Sequence, residues 1–162
     1  MAKSILNVAD VELQSRPPQF APTGPAAQRF DARVGQIAPK IGAKKLGYTL
    51  VAVPPGKRAY PFHSHRVQEE MFYVIEGSGE VRIGAETFPI RAGDIIACPC
   101  GGPDTAHQII NTGKAELRYL AVSTKESPEV CEYPDSGKIA ALGEGLRAVW
   151  RADQKVGYWD GE

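Results

Sequence analysis

The sequence predicts an all-β fold, a barrel or sandwich of short strands preceded by an extended arm, and three observations predict it. Glycine and proline, 17 and 13 residues, are scattered along the chain as punctuation. Between them stand short runs rich in β-branched and aromatic residues, the pattern of strands joined by turns. No run shows the apolar period of a long helix. A length of 162 residues suits one domain with one core, because two domains would each be marginal.

Residues 1–40 contain Pro17, Pro18, Pro22, Pro25 and Pro39 with few apolar clusters, and read as an N-terminal arm packed on the barrel or on a partner subunit. Residues 41–125 hold the barrel core: LGYTLVAV from Leu46, then KRAYPFHSH, MFYVIEG, GEVRIG, ETFPI, DIIAC, HQII and ELRYLAVST. Turn signals at Pro54-Pro55-Gly56, Gly77-Ser78-Gly79, Gly84, Ala92-Gly93-Asp94 and Asn111-Thr112-Gly113 separate them. Strands of this regular spacing fit a closed sheet, which leaves no edge for aggregation. Residues 126–162 read as a C-terminal extension on the barrel, in which KIAAL and LRAVW fit either outer strands or one short helix.

Charge narrows the partners. Lysine plus arginine equals aspartate plus glutamate, 19 against 19, so no cationic excess is available for nucleic acid or an anionic membrane. The N-terminus lacks a basic start followed by an apolar run, and no apolar stretch approaches the ~18 residues of a membrane span. A soluble cytoplasmic protein is the expectation. Cys98, Cys100 and Cys131 are odd in number, which argues against a disulfide framework and suits a reducing compartment. Cys98-Pro99-Cys100 lacks the second pair of a structural zinc site and reads as free thiols at a strand end.

The chemistry concentrates on the histidines. His63 and His65 lie two apart on a strand-like run, so both imidazoles point to the same face. A short turn and a second strand then return a carboxylate, Glu69 or Glu70, towards the rings. The remaining histidine, His107, opens another apolar run. One histidine alone reads as a hydrogen-bonded polar residue, but H-x-H with a nearby carboxylate points to a first-row divalent cation. Alternation does not choose the carboxylate. If Glu70 faces inward, so do Phe72, Val74 and Glu76; if Glu69 does, its companions are Met71, Tyr73 and Ile75.

These segments resemble the two motifs of the cupin superfamily, specifically of a small single-domain metal-binding cupin of the type 2 kind. Gly56 to Gly77 is similar to the first motif, where the step back from Gly77 selects Glu70, while Glu69 satisfies a shorter version. Gly93, Pro99, Gly101, His107 and Asn111 match the second. Two steps are longer than usual: Gly56 to His63 by one residue, and Gly101 to His107 by three. The resemblance covers residues 46–123 and implies a double-stranded β-helix, or jelly-roll barrel, holding one divalent metal ion (manganese, iron, nickel or zinc) on His63, His65, Glu70 and His107.

Cupins host many reactions, so the fold does not name one. The resemblance implies a small-molecule ligand and favours a metal-dependent enzyme on a polar metabolite, a sugar or sugar phosphate isomerase or epimerase. Alternatives are an oxalate-type carboxylate-binding protein, decarboxylase or dioxygenase, and a non-catalytic binding module. A proton-shuttling base is needed besides the ligands, with Glu69 and Glu76 the candidates. Tyr60, Phe72 and Ile109 are candidates to shape the pocket, and Arg58 and Arg66 to meet an anionic substrate. No helix-turn-helix accompanies the barrel, which argues against a one-chain regulator. A homodimer is the expected assembly.

Overall fold

The computed structural model describes residues 4–162 and is built almost wholly from antiparallel strands. The arm contributes β1 (Gln14–Ser15), α1 (Pro25–Arg29), β2 (Arg33–Gln36) and α2 (Ala38–Ile41). Its prolines punctuate structure instead of preventing it, because Pro25 and Pro39 stand at the first helical turn, where a missing N–H costs nothing. The arm is therefore more ordered than an extended tail. β1 and β2 extend a six-stranded sheet ordered β1-β2-β3-β10-β5-β8, in which β3 is Leu46–Val53, β5 Glu70–Glu76, β8 Ile95–Cys98 and β10 Leu117–Thr124.

The opposite face has two parts. One orders β7 (Glu86–Arg91), β6 (Ser78–Ile83) and β9 (His107–Ile110), with Pro89 on edge strand β7, where no ladder N–H is lost. The other orders β13 (Leu146–Arg151), β12 (Lys138–Gly143), β11 (Glu129–Tyr133) and β4 (Ser64–His65). A backbone bridge between His63 and His107 joins them. KIAAL and LRAVW both form strands, and β11 is an element that the sequence pattern did not announce.

Two apolar clusters explain β3, which is buried on both faces. Val51 and Val53 point into the barrel with Phe72, Val74, Val81, Ile90, Ile96, Ile109, Leu117 and Tyr119. Leu50 points outward against Val11 and Ile37 of the arm. Each such buried side chain contributes about 1.5–3 kcal/mol before conformational entropy is subtracted. The turn from β5 to β6 requires glycine at Gly77, where φ is 85° and an added Cβ would stand 2.6 Å from the Glu116 carbonyl oxygen. Among the described residues, no helix is long and apolar enough to cross a membrane.

Candidate metal centre

His63 and His107 face each other across paired backbone: the His107 N–H donates to the His63 carbonyl at 2.8 Å, and the His63 N–H donates back at 3.2 Å. Cross-strand pairing of this kind places side chains together, and the two ring centroids are 4.8 Å apart. His65 follows on the same face, its ring 5.0 Å from that of His63. Its backbone pairs with Cys131 of β11. Glu70 begins β5 and brings its Oε2 to 3.0, 3.3 and 3.8 Å from the Nε2 atoms of His107, His65 and His63.

Donor atoms of His63, His65, Glu70 and His107 all lie within 4.8 Å of one another. Each ring is held by its other nitrogen. His63 Nδ1 meets the Pro61 carbonyl at 2.8 Å, His107 Nδ1 lies 3.4 Å from the Thr105 carbonyl, and His65 Nδ1 lies 3.4 Å from Cys131 Sγ. Such contacts fix the tautomer and aim Nε2 inward, as around imidazole-bound metals. His65 Nε2 is buried and forms no hydrogen bond despite its closeness to Glu70. Convergent imidazole nitrogens, an orphaned buried one and a carboxylate oxygen are a donor set that fits a first-row divalent cation.

The surroundings differentiate the two histidines of the pair. Burial, reinforced by His107, lowers His63 to about 4, so its ring stays neutral at pH 7. Burial also opposes charge on His65, but Cys131 and Glu70 outweigh it and raise the ring to about 10. Burial opposes charge on Glu70, yet the hydrogen bond from His107 and the nearness of the His65 ring hold its carboxyl below the usual carboxylate range. Cys98 stands opposite Glu70 across β5 and β8, where burial and the nearby carboxylate push its thiol up to about 12.

Three residues that the sequence reading passed over complete the site. Glu129 is 2% exposed, and its carboxylate accepts the backbone N–H groups of Arg66, Val67 and Gln68 at 2.9, 3.4 and 2.5 Å. It clamps the loop between His65 and Glu70. Cys131 braces His65, and the Tyr133 ring stacks on His63 at 6.0 Å. Glu129, Cys131 and Tyr133 alternate in β11, so period-two spacing in EVCEY was the available signal. All three cysteines are free thiols.

Of the other residues singled out, Phe72 is buried and lies 5.5 Å from His107 and 5.6 Å from Tyr119 between ring centroids, forming the floor of the site. Ile109 is a core residue and Tyr60 stands 6.5 Å from His63. Arg66 is turned to Glu132 at the surface, and Arg58 lines a neighbouring cavity. Glu69 and Glu76 are both exposed and neither joins the cluster. Glu76 leaves the inward face because β5 carries a bulge where Tyr119 pairs Val74 and Arg118 pairs Glu76. Asn111 is fully buried and locks a turn, its amide donating to the Val53 and Ala115 carbonyls and its oxygen accepting from Gly113.

Comparison with known proteins decides the family. The model of the cupin domain matches residues 49–123, the span that carries most of the barrel and all four donors. Residues 49–123 are a cupin domain. Curated relatives include an uncharacterised protein of Methanocaldococcus jannaschii, 34% identical over 49% of this chain and 64% of its own length. An oxalate-binding protein of Thermotoga maritima is 32% identical over 46% of this chain and 59% of its own. The chain thus spans less than two thirds of either relative. In fold, it is similar to a provisionally named sugar phosphate isomerase of Acidithiobacillus ferrooxidans, with TM-score 0.82 and 22% identity over 98% of both chains. A sugar phosphate isomerase of the cupin superfamily from Silicibacter pomeroyi gives TM-score 0.80 and 24% identity, covering 96% of this chain and 98% of that one. These likenesses extend beyond the cupin domain into the arm and the C-terminal strands.

Proposed function

We propose that this cupin is a metal-dependent enzyme acting on a small polar metabolite, with isomerisation or epimerisation of a sugar or sugar phosphate as the leading reaction. The observation that carries the reading is the convergence of His63, His65, Glu70 and His107, each imidazole oriented from behind so that Nε2 faces the same point. A divalent cation held there would polarise a carbonyl or hydroxyl and ease removal of a neighbouring proton. The chain's own residues supply the rest. Phe72 closes the floor and excludes water, while Tyr60 and Tyr133 flank His63 and offer phenolic groups to substrate hydroxyls. Burial raises Tyr133 above its ordinary value, which keeps its phenol protonated and able to donate.

Three free thiols suit a cytoplasmic setting. Strand β13 is an edge with Leu146, Val149 and Trp150 exposed, which supports a homodimer through this edge, testable by light scattering. The function is tested by metal analysis of protein purified without added metal, followed by a screen of sugar phosphates, oxalate and catechols. Stoichiometric metal in the wild type, its loss in His63→Ala, and turnover of a sugar or sugar phosphate are expected. Full metal content in His63→Ala would overturn the site. Turnover of oxalate alone would replace the isomerase reading, and tight binding of a ligand without product would indicate a non-catalytic module.

A further inference from the structure

Beside the metal centre lies a cavity of about 420 Å³, walled by the arm, the segment Arg58–Phe62 and the start of β12. Four cationic side chains line it: Arg16, Arg29, Arg58 and Lys138. In a chain of zero formal net charge this is a concentration that needs explaining. Among the described residues, none of the four has a carboxylate within ion-pair distance, although most other arginines in the structure do. Asp135 also faces the cavity, but both its oxygens are taken by Arg82 at 3.0 and 2.9 Å. Arg58 Nε is buried without any hydrogen-bond partner.

The cations are placed by backbone, not by chance proximity. Arg58 donates its backbone N–H to the Arg29 carbonyl at 3.0 Å, which ties the segment before β4 to the end of α1, and both side chains line the cavity. Arg16 is pinned by a 2.9 Å bond to the Ala59 carbonyl and lies 4.6 Å over the Tyr60 ring. Tyr60 in turn stands 6.5 Å from His63, and Lys138 lies 5.4 Å over Tyr133, which stacks on that same histidine. Tyr60 thus belongs both to the wall of the cationic cavity and to the surroundings of His63.

We infer that this cavity is an anion site for the phosphate of a phosphomonoester, held by Arg16, Arg29, Arg58 and Lys138, with the organic part of the ligand directed past Tyr60 to the metal centre. Several cations arriving from separate segments match a group with three acceptor oxygens and a charge of about −1.5 to −2 better than a carboxylate with one charge. The assignment of this phosphate to the substrate rests on the isomerase reading; binding of phosphate to the cavity does not.

Calorimetric titration of inorganic phosphate into the metal-stripped full chain tests the site. Saturable binding is expected, weakening as salt rises. Arg58→Gln and Lys138→Gln should each weaken it about tenfold or more, with metal content unchanged. Arg29→Gln, at the exposed end of α1, is the variant least able to disturb folding, and it should weaken binding as well. An unsaturable wild type, or variants that bind as well as the wild type, would overturn the site and leave the metal reading intact. Conversely, His63→Ala should lose metal yet bind phosphate unchanged, so failure of the two readings is distinguishable. Glucose phosphate should bind the metal-loaded protein more tightly than either glucose or inorganic phosphate. If it binds no tighter than inorganic phosphate whether or not metal is present, the cavity serves free phosphate and its assignment to the substrate is wrong.

Discussion

The metal centre and the cationic cavity share the wall made by Tyr60, yet they are built in opposite ways. Donors of the centre project from β4, β5 and β9 and from the bridge at His63, where ladder hydrogen bonds fix each backbone position. The cavity draws instead on the arm, on the irregular segment before β4, and on the start of β12. A rigid barrel is suited to holding a few donors at set distances, whereas peripheral segments can vary without disturbing it. On the two proposals above, the barrel would prescribe the ion and the periphery what meets it.

If that division is right, damage to the two regions separates cleanly. His107→Ala should have the largest effect, abolishing stoichiometric metal by elemental analysis, because His107 is the most buried of the four donors and bridges both parts of the second face. Glu129→Gln comes next. It weakens the clamp on Arg66–Gln68 without touching the ion, and should cost about 10–100-fold in metal affinity, measured by competition with a chelator. An unchanged affinity would show that the loop holds Glu70 in place unaided. Phe72→Ala should reduce unfolding free energy by about 3–5 kcal/mol in denaturant titrations, since its ring packs against both His107 and Tyr119.

Acidity gives a gentler probe of the metal-stripped protein. His63 falls from an ordinary 6.5 to about 4, so the unfolded chain takes up its proton first and stability declines as pH drops through that interval. His65 moves the other way, to about 10, so its contribution is complete below 6.5 and fades as pH climbs towards 10. Thermal unfolding should therefore show a maximum near pH 6.5, with an alkaline limb that disappears in His65→Asn. The smallest effect is expected of Arg29→Gln, which should change stability by no more than about 0.5 kcal/mol and leave metal affinity untouched. A fall in metal affinity there would erase the proposed division.

Much of the barrel was legible because alternation and turn residues are local signals: β3, β5, β6 and β10 fall where the apolar runs and glycines place them. The i, i+2 spacing of His63 and His65 carried enough information to group all three histidines, and the structure puts them together. Glu70 needed the count to Gly77, since hydrophobicity is alike on both faces of β5. β11 was missed because a strand buried against polar partners has no apolar signature: Glu129 is there for three backbone N–H groups and Cys131 for an imidazole ring. The arm was read as extended because prolines suggest it, whereas helix starts accommodate them. Glu76 was misdirected by a bulge, which strict alternation cannot foresee.

The position of Glu129 late in the chain bears on how the site is made. Synthesis proceeds from the N-terminus, and all four donors have emerged once His107 is out. At that stage the loop that joins His65 to Glu70 has no carboxylate to organise its N–H groups, and His65 has no Cys131 behind it. On the proposed metal reading, a nascent barrel in that condition would present a looser set of ligands, open to whichever cation is most abundant. Docking of β11 would then narrow the geometry, so a strand made after all four donors would act as the inspector of the ion already offered.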